Sequence, residues 1–241
     1  MERLSKNDLH ALVSSSGDAS NRELSGLSLR GMELIGMRFD GANLDGADLS
    51  GANLSGSSFE GASLKGCNLS SSNFTGCSFQ KADLERTDLT FSNFAGADFT
   101  GARMREADFT NSKLSGALFK KTDLTAVDFQ MADAGMVRCE GATMTRVHAR
   151  GTSLICAVLS GCDLREAKLY GADLSRADLS SSDLRGADIL DSLLIAADLT
   201  NADIREARLK RTDLSRARLA GLKHDDALSE VLKRYAVREE S

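Results

Sequence analysis

Residues 42–56 read ANLDG ADLSG ANLSG: Ala42-Asn43-Leu44-Asp45-Gly46, then Ala47-Asp48-Leu49-Ser50-Gly51, then Ala52-Asn53-Leu54-Ser55-Gly56. The same register runs without an insertion from Leu24 to Leu219, giving 40 consecutive centres, of which 37 are Leu, Ile, Phe or Met. Ala134, Cys139 and Ala149 are the exceptions. Two residues before the centre stands Ala, 20 times in all, and 19 of the 21 glycines stand two residues after it. Inward positions therefore alternate in steps of two and three. A step of two is strand alternation, in which both side chains point to the same face. A step of three keeps that face inward only if the chain turns a corner, and Gly two residues after the centre suits the positive φ of a type II turn. A helix is excluded, because a period of five at about 100° per residue would smear the leucines around every face.

Working outward, like residues show how many sides close one coil. Phe39, Phe59, Phe79, Phe99 and Phe119 recur every 20 residues, so four five-residue sides would stack these rings in one ladder. The expectation is an all-β square solenoid of about ten coils, about 48 Å long at one strand spacing per coil. With its A(D/N)LXX motif, as in Ala42-Asn43-Leu44, Ala47-Asp48-Leu49 and Ala172-Asp173-Leu174, the chain resembles the pentapeptide-repeat family. That resemblance implies a right-handed quadrilateral β-helix. The open ends of a solenoid need covering. Residues 1–21 are read as an N-terminal capping helix, begun by Ser5 with Asp8, followed by a flexible link at 14–18. Residues 22–221 are the β-helix, and 222–241 a C-terminal capping helix with Leu228, Val231, Leu232 and Tyr235 at helical spacing.

Composition narrows the function. The 241 residues carry 30 Lys+Arg and 35 Asp+Glu for a net charge of -5, with no Pro and no Trp. No apolar run approaches the roughly 20 residues of a membrane span and the start is polar, so a cytoplasmic protein without membrane contact is expected. There is no phosphate loop, GxGxxG, HExxH or GxSxG, and His10, His148 and His224 lie far apart in sequence, so no enzyme, cofactor or metal is expected. The frequent Asp just before the centre reads as a turn residue whose carboxylate accepts backbone N–H groups. Four of the five cysteines (Cys67, Cys77, Cys139 and Cys162) fall at inward positions, which reads as core packing.

What remains is binding. Ile155, Tyr170, Leu190, Leu193 and Ile195 are apolar at outward positions on neighbouring sides, a candidate surface for a protein partner or a second subunit in a homodimer. The alternative comes from the family resemblance: quinolone-resistance members imitate DNA and bind DNA gyrase. Residues 24–219 hold 26 acids and 23 bases, far short of duplex DNA with one charge per roughly 1.7 Å. One side does better, because Asp48, Asp88, Asp108 and Asp128 would stack without a base between them. Elsewhere Arg165, Arg185 and Arg205 would neutralise Asp163, Asp183 and Asp203. The preferred reading is a noncatalytic protein-interaction rod, binding no nucleic acid, with the gyrase-protecting DNA mimic second. The stretch 131–151 has the small centres Ala134, Cys139 and Ala149 beside the larger Val137 and Val147, which reads as volume exchanged between inward positions. Arg138, Arg146, His148 and Arg150 are expected to lie close together there.

Overall fold

Backbone amides in this chain find their partners one full coil away. In the computed structural model, which describes residues 2–3, 5–13, 15–229 and 232, parallel bridges join residues 20 apart from Asp18↔Arg38 to Asp203↔Lys223. Around Leu49 the pattern is complete. Leu49 N–H donates to Asn68 O (2.8 Å), Gly51 N–H to Ser70 O (3.0 Å), and Asp48 N–H reaches back to Leu27 O (2.9 Å). Each coil thus has four sides, named here by their centres: side 1 from Leu24 to Ile204, side 2 from Leu29 to Leu209, side 3 from Leu34 to Leu214, side 4 from Phe39 to Leu219.

Corners are type II turns, closed by bonds such as Ala52 N–H to Leu49 O (3.1 Å). Gly51 at such a corner has φ +68° with open space where a Cβ would sit, so glycine relieves the dihedral alone. Twenty-two non-glycine residues hold the same conformation, with φ between 54° and 62°. None of these is β-branched, as expected where a branched Cβ would clash most. The Asp or Asn before each centre steadies the corner: Asp48 accepts from Ser50 N–H (3.0 Å) and Asp108 from Thr110 N–H (2.8 Å). The turn role expected of these carboxylates is the one they perform.

The lumen is apolar throughout and aromatic along half its length. Phe39, Phe59, Phe79, Phe99 and Phe119 stack on side 4 with centroids 4.9–5.0 Å apart and planes within 9°. Two shorter stacks, Phe74–Phe94 at 5.0 Å and Phe109–Phe129 at 5.3 Å, meet that ladder edge-on from sides 3 and 2. Most inward hydroxyls and thiols donate to carbonyls of the preceding coil, as in Thr87 Oγ1 to Leu64 O (2.8 Å) and Cys67 Sγ to Leu44 O (2.9 Å), whereas Ser182 Oγ donates to Leu179 O (2.7 Å) and the buried Ser112 Oγ has no partner among the described residues. Burial pushes the thiols of Cys67, Cys77 and Cys162 up to about 12, which leaves them inert core residues.

Volume exchange at 131–151 is incomplete. The ladder passes through without a break (Lys113↔Asp133↔Ser153, Asp128↔His148↔Lys168). A small apolar cavity of about 20 Å³ remains, bordered by Ala134, Cys139, Ala149, Val137, Val147 and Met144. Val at the neighbouring inward position extends from a different point of the wall and does not reach the space a Leu centre would fill.

At the N-terminal end, β1 (Glu2–Arg3) pairs in parallel with β2 (Arg22–Glu23), and α1 (Lys6–Val13) lies between them in sequence. Ser5 N–H and Oγ both donate to Asp8 Oδ2 (2.7 and 2.6 Å) while Asp8 N–H donates to Ser5 Oγ (3.2 Å), the reciprocal bonding of a capping box. Leu9 is fully buried in the core. The ladder starts earlier than the flexible-link reading of 14–18 expects: Asp18 is bridged, Ala19 N–H donates to Arg38 O (2.7 Å) and Ala19 is buried as a small centre. Ser14 lies outside the described residues. At the other end residues 226–229 and 232 are helical, with Leu228 packed against the core and Leu232 buried. Val231 and Tyr235 lie outside the described residues. Among the described residues no helix is long and apolar enough to cross a membrane.

Candidate partner surface

The residues just before and just after each centre point outward, so every side shows two columns, each residue covered partly by those one coil above and below. On side 3 the column after the centre runs from Ile35 to Ser215 at 20-residue intervals and contains no charged residue. Ile155 is exposed there, Leu193 is exposed in the column before the centre, which also holds Glu33, Lys113, Asp133, Asp173 and Asp213, and Tyr170 stands exposed at the neighbouring margin of side 2. Leu190 and Ile195, expected in the same patch, are in place but only half-buried rather than open. The side chains stacked above and below them in their columns cover the rest.

Three further apolar side chains extend this surface, and reasoning from sequence missed them. Phe91 and Met131 are each 64% exposed on the edge between sides 2 and 3, and Met136 is 61% exposed on the edge between sides 3 and 4. They occupy corner positions, where Gly is the usual residue and where a side chain points into solvent. The signal was present in the corner column, where Phe and Met replace Gly. With Ile35, all the large apolar residues exposed among the described residues lie on side 3 or its margins. Next to Phe91, a shallow groove runs along Asn53, Asn73 and Asn93, where Asn73 Nδ2 donates to Asn53 Oδ1 (3.1 Å).

Side 2 carries the acidic column. Asp88, Asp108 and Asp128 are bridged in succession, and Asp48 joins them through Asn68. Each spends one oxygen on a turn N–H: Ser50, Thr90, Thr110 and Gln130 donate at 2.8–3.0 Å. On side 1 the expected neutral zipper is present, with Arg165, Arg185 and Arg205 donating to Asp163, Asp183 and Asp203 at 2.5–2.7 Å. Hydrogen bonds from these arginines hold all three carboxyls below the usual range.

The basic cluster expected at 131–151 is split by the square cross-section. Arg138 sits on side 4, bonded to Glu140 (Nε–Oε1 3.0 Å), and so faces away from side 2. Arg146 occupies the edge between sides 1 and 2. His148 and Arg150 share side 2, joined by Lys168 and Tyr170 of the next coil around one surface pocket. A separation of ten residues in this chain means opposite sides, whereas 20 means contact.

The family model described as pentapeptide repeats (8 copies) matches residues 23–61, 137–171, 157–189 and 192–223, and that of the pentapeptide repeat region matches 52–129. No curated protein sequence matches the chain. Among solved structures, the chain is similar to HetL, a pentapeptide repeat protein involved in heterocyst differentiation regulation from the cyanobacterium Nostoc sp. strain PCC 7120. The two share 25% identity over 92% of this chain and 98% of that one, with a TM-score of 0.66. QnrB1, a plasmid-mediated fluoroquinolone resistance protein, is 23% identical over 86% of this chain and 96% of its own, with a TM-score of 0.48.

Proposed function

The chain belongs to the pentapeptide-repeat family, and from that premise we propose that it is a noncatalytic interaction module, a rigid solenoid rod that presents side 3 to a protein partner. In this reading the rod has about ten coils, wound right-handed as in the family, with α1 and the helical residues 226–229 and 232 covering its ends. The carrying observation is the segregation of exposed apolar side chains, from Phe91 to Leu193, onto one side, whose column after the centre is uncharged, and its edges. Contiguous apolar surface of this kind marks interaction sites, and a few aromatic or aliphatic anchors dominate such interfaces. The likeness to HetL, a protein involved in regulation, supports a binding role. The test is a quantitative pull-down from the source cell extract with the full chain and a Phe91→Glu, Ile155→Glu, Leu193→Glu variant. These side chains face outward, so circular dichroism should be unchanged. Partners captured by the wild type should be lost; retention of the same partners would refute the assignment of side 3.

A second reading, the DNA mimic that protects gyrase, rests on the acidic column of side 2. Its test is a supercoiling assay with a quinolone. Protection by the wild type at low micromolar concentration, abolished by reversing Asp88, Asp108 and Asp128 to Lys, would place this reading first. The mixed charge of the remaining sides argues for no protection.

A further inference from the structure

The surface pocket on side 2 is lined by His148, Arg150, Lys168 and Tyr170, with Gln130 and Asp188 at its ends. Most arginines of the C-terminal half are locked to a carboxylate, as Arg185 is to Asp183 and Arg218 to Asp198. Arg150 and Lys168 are not: among the described residues neither forms an ion pair. The acids stacked beside the pocket, Asp128 against His148 and Asp188 against Lys168, are already engaged. Asp128 accepts both the N–H and the Nε2 of Gln130 at 2.8 Å, and Asp188 takes Arg208 Nη1 at 3.1 Å. Arg150 instead lies with Cζ 5.0 Å from the centroid of the Tyr170 ring. That cation–π contact orients the guanidinium without neutralising it. The Asp191 carboxylate beside Tyr170 is itself bonded by Arg211. Arg150 and Lys168 therefore line one concavity without an ion pair of their own, beside His148, whose Nδ1 lies 3.8 Å from Asp128 Oδ2.

We propose that this pocket binds a phosphate monoester. A dianion matches the two unpaired cations, the planar guanidinium suits two oxygens of one phosphoryl group, and Lys168 and His148 can meet the third. The proposal does not depend on side 3 having a partner, because the phosphate-binding groups lie on side 2. The same chemistry is offered by a phosphorylated side chain and by a free nucleotide.

Isothermal titration of the full chain at low ionic strength tests it, with four probes: inorganic phosphate, a phosphoserine peptide, the same peptide unphosphorylated, and adenosine 5′-monophosphate. Saturable phosphate binding is expected, weakened at least about tenfold, or about 1.4 kcal/mol, in the Arg150→Ala, Lys168→Ala double variant. An Arg176→Ala, Arg216→Ala double variant removes the same charge from exposed cations elsewhere and should bind as the wild type does. Tighter binding of the phosphopeptide assigns the source as a protein side chain, and tighter binding of the nucleotide assigns a small ligand. Unchanged melting curves establish that both double variants are folded. Absence of saturable binding at about 10 mM phosphate, equal losses in the two double variants, or equal binding of the unphosphorylated peptide would each overturn the proposal.

Discussion

Replacing Phe79 by Ala tests the solenoid at the middle of its aromatic ladder. The Phe79 ring is fully buried, with Phe59 and Phe99 each 4.9 Å away on its two faces and Phe74 tilted against it at 5.5 Å. Truncation removes the transfer energy of the ring and leaves a cavity that stiff neighbouring coils cannot close, which together cost about 3–5 kcal/mol. The stacked pairs, about 0.5–1.5 kcal/mol each, belong within that figure and push it toward the upper end. With a urea slope near the top of the usual range, about 3 kcal/mol/M, the midpoint should fall by about 1–1.7 M. The assay is urea unfolding followed by far-ultraviolet circular dichroism. Phe91→Ala is the control, being the same truncation at a ring 64% exposed, and should move the midpoint by no more than about 0.2 M. If the two variants shift alike, the argument from ring burial is wrong. A lowered slope in Phe79→Ala alone would instead mark loss of cooperativity between the coils on either side, as a one-dimensional repeat allows.

Three further outcomes follow from the geometry. Lys121 holds φ 54° at a corner, so Lys121→Gly should raise stability in urea unfolding by up to about 1 kcal/mol, while Gly76→Ala, with open space around the added Cβ, should cost about 1 kcal/mol from the dihedral alone. Ala149→Val projects into the core cavity of about 20 Å³ and should be neutral or stabilising by about 0.5 kcal/mol in thermal melts, whereas Ala172→Val, at a filled inward position, should cost about 1–3 kcal/mol. Burial raises the Asp83 carboxyl, but hydrogen bonds from Lys65 (3.0 Å) and Arg103 outweigh it and the net shift is downward. A lowered folded value means its contribution is complete above the unfolded value of about 3.9 and is lost as pH falls through the folded one. Asp83→Asn should therefore lower stability at pH 7 by about 1 kcal/mol and flatten the decline on acidification below about pH 4; an unchanged acid profile would refute the assignment.

Chemistry at the corners was readable residue by residue. Asp before the centre, Gly two after it and Ser5 with Asp8 each act locally, within two or three residues, so their roles follow from the chain alone. The apolar side 3 was only half legible, because Ile155 and Leu193 declared themselves by type whereas Phe91, Met131 and Met136 hid in positions belonging to the turn. Arg138 shows the opposite failure: nearness in sequence suggested a cluster with Arg150, and the square section put it on a different side.

By itself the sequence determined the five-residue side, the four-sided coil and the identity of the inward residues, since a strict period leaves one way to bury its leucines. Only the tertiary structure decided what touches what across coils. Lys168 meets Arg150 because parallel pairing sets residues 20 apart side by side. The cavity beside Ala149 persists because the reach of a neighbouring Val, and not its volume, determines whether space is filled. The uncharged column of side 3 exists as a surface because stacking sets every twentieth residue in line.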